Sequence, residues 1–146
     1  MARHLGDDWV VPELDDANRP WFTSGKLQVQ ACDDCGAFQQ PPDDVCSSCQ
    51  GTQLSFRDCG SEGTVESVAV VHQAVHPSLK DAVPYAVVVV SLEGAPGVSV
   101  IGNVLNQEPA EVRIGQRVRA TFEECAYPET DPEGHETLKI PQWEAV

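Results

Sequence analysis

Two Cys-x-x-Cys pairs, Cys32/Cys35 and Cys46/Cys49, stand ten residues apart, and nothing else narrows the folds open to this chain as much. Each pair can turn into a knuckle, a tight loop in which both sulfurs and several backbone amides face one point. Two knuckles supply four thiolates, the closed tetrahedral donor set of a structural zinc site. The gap is shorter than the usual template for paired knuckles, so a compact, rubredoxin-like zinc ribbon is expected. Gly36 follows the first pair, where a knuckle needs a residue that tolerates positive φ. Pro41-Pro42 breaks any helix between the pairs. Three other readings compete. Two disulfides would close very small loops, and a redox pair needs only one Cys-x-x-Cys, at a helix start. An iron site of rubredoxin type takes the same ligands and stays open as the alternative metal.

The rest of the composition sets the surroundings. The chain has 146 residues, enough for one ordinary domain or two small ones. Its first eight residues contain no apolar run, so no secretory signal is expected. The longest apolar run, Ala86 to Val90, suits a buried strand and is far too short to cross a bilayer. A reducing, cytoplasmic setting is the expectation, and it favours metal over disulfide. With 23 acidic and 9 basic residues, the net charge is −14. That charge repels nucleic-acid phosphates unless a basic patch gathers on one face. Only Arg113, Arg117, Arg119 and Lys139 could form one, so no nucleic-acid partner is expected and the acidity reads as a solubility feature.

Taken in order, residues 1 to about 11 are polar and expected to be loosely held. Pro12 to Ser24 reads as one or two short helical turns, opened by Pro12 and Pro20 and ended by Gly25. Trp21 and Phe22 lie in this segment, which is too short to bury both by itself. They either pack onto the chain's own ribbon or form a partner-binding surface. Lys26 to Ala31 alternates and predicts a strand into the first knuckle; Leu54 to Phe56 resumes an extended path after the second. From Thr64 onward the pattern is β throughout. Strands are predicted over 64–76, 85–92, 98–105, 117–124 and 137–143, the second apolar enough to be buried on both faces. Gly102 suggests a bulge, and 106–112 a helical turn. Residues 127 to 136 read as a polar Pro/Gly loop. The expected fold is mainly β: an N-terminal helical segment (1–25), a zinc ribbon (26–60) and a five-stranded OB-fold barrel (61–146).

Other candidate sites are weaker. His72 and His76 are four residues apart, but on an extended chain that is about 13 Å, too far to share a metal. Cys59 and Cys125 fit no spacing with the other four and read as small buried apolar residues. His135 sits among hydrophilic residues with no nucleophile to serve, and the pairs Asp33-Asp34 and Asp43-Asp44 read as solvated loop residues. No nucleophile elbow, phosphate loop or dinucleotide fingerprint is present. No catalytic set emerges.

The order of these parts resembles the acyl-CoA-associated zinc-ribbon/OB-fold family. The resemblance is carried by Gly25-Lys26-Leu27-x-Val29-Gln30-x-Cys32-x-x-Cys35-Gly36, Pro41-Pro42, Cys46-x-x-Cys49 and Gly63-Thr64-Val65-x-Ser67. Pro84-Tyr85, Leu92-Glu93-Gly94 and Ile114-Gly115-x-x-Val118 add to it. The chain departs from the family pattern with Ser47 where proline is common and Asp43 where a basic residue is common. The resemblance implies a chain that is not an enzyme by itself but an accessory subunit of a thiolase-like enzyme acting on acyl-CoA, expected as a heterotetramer. In one branch the pair is an aldolase that cleaves a steroid-CoA side chain by retro-aldol chemistry. In another the small subunit bridges a thiolase and a hydroxymethylglutaryl-CoA synthase. A free-standing OB-fold nucleic-acid-binding module and a free-standing zinc enzyme are the rival readings; four thiolates leave the latter no open metal position.

Overall fold

The computed structural model describes residues 11–126 and 137–146. The ribbon is a three-stranded antiparallel sheet in the order β2-β1-β3, with β1 at Gln28–Cys32, β2 at Phe38–Gln39 and β3 at Leu54–Asp58. Leu27, Val29 and Ala31 are buried, which is why the central strand forms here. Its partners are set by the register Ala31↔Phe38 on one side and Gln30↔Phe56 on the other.

The second sheet has five strands in the order β6-β5-β4-β7-β8: β4 Glu62–Val71, β5 Tyr85–Leu92, β6 Ser99–Asn103, β7 Arg117–Ala126 and β8 Thr137–Ala145. Short 3₁₀ turns occupy Pro77–Leu79 and Pro109–Glu111, the latter within the stretch where a helical turn is expected. β4 is shorter than the sequence suggests and stops at Val71; bends at Gln73, Val75 and His76 then lead into the 3₁₀ turn at Pro77. Its pairing with β7 covers only Glu62 to Thr64, and the register with β5 shifts between Val65 and Ser67, leaving Glu66 as the bulged residue. The bulge thus lies on β4; Gly102 pairs regularly with Val88. Gly102 serves a different purpose: a Cβ there would come within 2.8 Å of Trp143 Cδ1, so only glycine lets the indole cross the strand.

The OB-type sheet does not close into the expected barrel. Its edges β6 and β8 meet through one isolated parallel bridge, Val104↔Trp143, with Leu105 N–H donating to Trp143 O at 2.9 Å. Two residues earlier on the same edge of β8 stands Pro141, which has no N–H to extend the ladder. The Gln142 side chain intervenes instead, its Oε1 accepting the Asn103 N–H at 2.8 Å. β5 also differs from expectation. Ala86, Val88, Val90 and Leu92 are buried, while the alternate residues remain partly exposed, so the strand is fully covered on one face only.

One helix is present among the described residues, α1 at Arg19–Thr23, with Pro20 in its first turn; residues 11–15 form no helix. Gly25, at φ +68°, ends it as expected. α1 packs mainly on β8 and to a lesser extent on β1, so it ties the two sheets together. Trp21, Leu27, Val29, Val65, Val118 and Trp143 belong to one continuous core. Where β3 leads into β4, Cys59 N–H donates to Leu27 O at 3.0 Å and Glu93 N–H to Glu62 O at 3.0 Å.

Candidate metal centre

The two knuckles fold alike. In the first, Cys32 N–H donates to Ala37 O at 2.8 Å and Gly36 N–H to Cys32 O at 2.9 Å; in the second, Cys46 N–H donates to Gly51 O at 2.8 Å and Gln50 N–H to Cys46 O at 3.0 Å. The residue after each pair takes a left-handed conformation, Gly36 at φ +79° and Gln50 at φ +62°. Glycine adopts this freely, whereas Gln50 is held there at a cost of about 1 kcal/mol. Gly51 keeps the space beside the sulfurs open, since a Cβ would stand 2.9 Å from Asp34 Oδ2 and 3.2 Å from Cys49 Sγ.

All four Sγ atoms lie within 4.8 Å of one another, with Cys32 to Cys49 at 3.6 Å and Cys35 to Cys46 at 3.7 Å. Tetrahedral zinc with bonds of about 2.3 Å places its sulfurs about 3.8 Å apart, which the two measured pairs match, so the donor set suits zinc. All six cysteines are free thiols. Cys32 and Cys46 are buried, Cys35 and Cys49 exposed. Cys46 Sγ accepts N–H groups from Ser48 at 3.4 Å and Cys49 at 3.5 Å. The Cys49 and Ser48 amides hold the Cys46 thiol below its ordinary value, at about 7. The Gly51 amide favours the Cys49 thiolate, but the neighbouring Cys32 and Cys35 sulfurs outweigh it and push Cys49 up to about 12. A cation among the four sulfurs removes that repulsion.

A pair of glutamines, invisible to motif spacing, fastens the second knuckle to the sheet. Gln30 Nε2 donates to Asp43 O at 2.9 Å, and its Oε1 accepts from Asp43 N–H at 2.9 Å and from Gln39 Nε2 at 2.6 Å. Gln39 Oε1 in turn accepts the Ser47 N–H at 2.8 Å. A proline at 47 has no such hydrogen, so the departure from the family pattern acquires a physical use. Asp33 is held below the usual carboxylate range by the Ser55 hydroxyl and then Arg57, both bonded to its Oδ1. Asp33, Asp34, Asp43 and Asp44 are all exposed.

The remaining candidates do not converge. His72 and His76 are exposed, and His76 Nδ1 caps the 3₁₀ turn through Ser78. Cys59 and Cys125 are buried; burial pushes the Cys59 thiol up, and it donates to Arg57 O at 3.4 Å. Trp21 is buried in the common core and Phe22 packs half-buried against that core, on a helix that meets β8 as well as the ribbon. Arg117 pairs with Glu93 at 2.8 Å and Arg119 with Glu62 at 3.1 Å, which compensates two of the four cations on which a basic patch depends. His135 and the loop from Tyr127 to Glu136 lie outside the described residues, as do residues 1–10. Among the described residues, the four cysteines are the one group of three or more side chains suited to hold a metal. No helix there is long and apolar enough to cross a membrane.

A four-thiolate ribbon fastened by one core to an open five-stranded OB-type sheet defines the class. The rubredoxin-like zinc ribbon domain of ChsH2 matches residues 23–55, and the C-terminal OB-fold domain of ChsH2 matches residues 57–123. The chain belongs to this zinc-ribbon/OB-fold family. It is similar to a solved structure described as an Ltp2-ChsH2(DUF35) aldolase, at 25% identity and a TM-score of 0.72, covering 92% of this chain and 98% of that one. A DUF35 domain-containing scaffold protein of Methanocaldococcus jannaschii is 30% identical over 92 residues, which is 62% of this chain and 63% of the relative's length. A DUF35-family structure from Sulfolobus solfataricus, at 13% identity and a TM-score of 0.50 over 84% of this chain and 78% of that one, shares the fold.

Proposed function

We propose that this chain is a zinc-stabilised, non-catalytic accessory subunit of a thiolase-like enzyme acting on acyl-CoA thioesters, and that the complex is an aldolase cleaving a steroid-CoA side chain. The observation that carries this reading is the likeness to the ChsH2 chain of an Ltp2-ChsH2(DUF35) aldolase over almost the whole of both chains. The donor chemistry is consistent with it: Cys32, Cys35, Cys46 and Cys49 close the metal and leave it no position for substrate. The ribbon (26–60) and the OB-fold domain (61–146) are then held together by α1 of the N-terminal segment, which packs on both sheets and carries Trp21 in their common core. Phe22, half-exposed beside it, offers the partner an aromatic contact at this joint. The partner supplies the reacting groups, and the complex is a cytoplasmic heterotetramer.

The archaeal scaffold relative supports a second reading, in which the chain bridges a thiolase and a hydroxymethylglutaryl-CoA synthase. One experiment separates the two. The chain is co-expressed with a thiolase-fold protein of the same genome and the purified material is assayed for retro-aldol cleavage of a steroid-CoA. Co-elution with cleavage that neither protein shows alone supports the aldolase; co-elution without it, but with capture of a synthase as third component, supports the bridge. If the wild-type chain elutes alone and alters no activity, the accessory reading is wrong.

A further inference from the structure

The outer face of β4, β5 and β6 is apolar without being buried. Tyr85, Val87 and Val89 of β5 lie half-exposed on it. The register sets Val71, Ala69 and Ser67 of β4 on one side of them and Asn103, Ile101 and Ser99 of β6 on the other. Ala69 is exposed, and Ile101 is 74% exposed. An open groove of about 590 Å³, walled by Val87, Ile101 and Ile140 and bordered by Val11 and Pro12 of the chain's own N-terminal segment, continues this surface to β8. Charge is sparse in the same region, and Glu66, whose carboxylate accepts from Ser99 Oγ at 2.8 Å, stands at one end of the face. From Ser67 to Gln107 the only charged residues are Lys80, Asp81 and Glu93, in a chain with 23 acidic and 9 basic residues. The centres of protein interfaces are depleted of charge in this way, whereas surfaces that stay in water are not.

β4 also carries a free edge beside this face. Its bonds to the β7 side end where Val65 N–H donates to Gln116 O and Gly115 N–H to Val65 O. From Ser67 to Val71 no described strand lies on that side, so alternate residues turn N–H and C=O groups outward. The bulge at Glu66 lies just before this edge, and Ser67-Val68-Ala69-Val70-Val71 itself contains no lysine, proline or inward-pointing charge. Backbone groups in a row are matched by one kind of occupant, an extended polypeptide segment that continues the sheet. A second copy of this chain would bring another net charge of −14 with it, whereas an uncharged segment of a different chain carries no such repulsion.

We infer that the Ser67–Val71 edge, with the apolar side chains of Val87, Val89 and Ile101 on the face beside it, is the docking surface for an extended, uncharged, apolar strand of the partner subunit. This rests on the accessory-subunit reading and adds where and how the partner binds. The test uses the full chain, wild type and with Ala69→Lys or Ala69→Thr, each co-expressed with the thiolase-fold protein. Ala69 is exposed, so both variants keep the free chain's thermal midpoint. Ala69→Lys is expected to weaken the complex at least tenfold and Ala69→Thr less than twofold. Amide hydrogen exchange at Ser67–Val71 is expected to slow on complex formation. If the wild type binds but Ala69→Lys binds equally well, or these amides exchange at the same rate free and bound, the docking surface is wrong while the accessory reading stands. If the isolated chain forms dimers that Ala69→Lys dissociates, the occupant is a second copy and the inference is overturned. If the wild type forms no complex at all, the accessory reading fails and this inference with it.

Discussion

Gly94 is the most exposed point of the joint between the two sheets to a single methyl group. A Cβ built there stands 2.0 Å from Cys59 O, 2.7 Å from Cys59 C and 3.1 Å from Cys59 Cα. Carbon and carbonyl oxygen in contact sit about 3.3 Å apart or more, so the backbones must separate by more than about 1 Å. Both sides are tied down, Cys59 by its N–H to Leu27 O and the Gly94 turn by Glu93 N–H to Glu62 O, each at 3.0 Å. Overpacking of this kind costs about 1–3 kcal/mol, and backbone on both sides of the contact puts Gly94→Ala at the upper end, about 3 kcal/mol. For a chain of this size that lowers the thermal midpoint by about 6–12 °C. Gly97→Ala is the control, because Gly97 has nothing within 4 Å and only its φ of +85° to lose; it should cost about 1 kcal/mol. Thermal unfolding followed by circular dichroism reads both. A Gly94→Ala midpoint within about 2 °C of wild type, on the same scale of degrees per kcal/mol, would refute the tight joint.

Four further outcomes follow from the metal centre and its glutamine tether. Cys46→Ser should abolish zinc retention through desalting, unfold the ribbon and lose the partner; an intact complex with lost turnover would overturn the structural role of the metal. Zinc affinity should fall on acidification. The site takes thiolates, and the Cys46 thiol, held at about 7 by the Cys49 and Ser48 amides, becomes protonated as pH drops through that value. Below it each further pH unit costs this ligand roughly tenfold in affinity, readable by chelator competition. Gln39→Ala should cost about 1–2 kcal/mol in urea unfolding and speed zinc release, since the Ser47 N–H and Gln30 lose a partner. Ser47→Pro should cost less in the Gln39→Ala background than in the wild type, because the N–H it deletes is by then unpaired.

The metal site was legible because its information is local: four cysteines at two short spacings determine two knuckles before any tertiary contact forms. The strands from Tyr85, Ser99 and Arg117 were legible for the same reason, since their alternation and turn residues act over a few positions. What failed depended on distant partners. The N-terminal turns were overestimated, because Pro12 and the acidic residues behind it suit a helix that receives no packing support until Trp21 reaches the core. The closed barrel was overestimated, because its last seam depends on Pro141 and Gln142 meeting Asn103, a long-range match that no pattern of hydrophobicity reports. The glutamine tether at Ser47 was missed altogether, since glutamines on neighbouring strands carry no spacing signal.

The reading of β5 as buried on both faces is the instructive discrepancy. Tyr85-Ala86-Val87-Val88-Val89-Val90 is as apolar as the central strand of a doubly covered sheet, yet its outer residues are covered only in part, with Val11 and Pro12 bordering them at the Tyr85 end. A strand covered by its own fold and a strand covered by a partner face the same requirement, to place apolar side chains on both sides, and so acquire the same composition. The sequence therefore registers the covering layer without saying which chain supplies it. The structure separates the two cases: the inner face belongs to the core around Trp143, and the outer face joins an edge on which no described strand lies. The metal holds the ribbon, and the joint at Cys59 and Gly94 holds the ribbon against this sheet. On that reasoning Cys46→Ser and Ala69→Lys should both lose the partner, the first with a large change in the free chain's stability and the second with none. Loss of stability in both, or in neither, would mean that folding and docking are not divided between ribbon and sheet in this way.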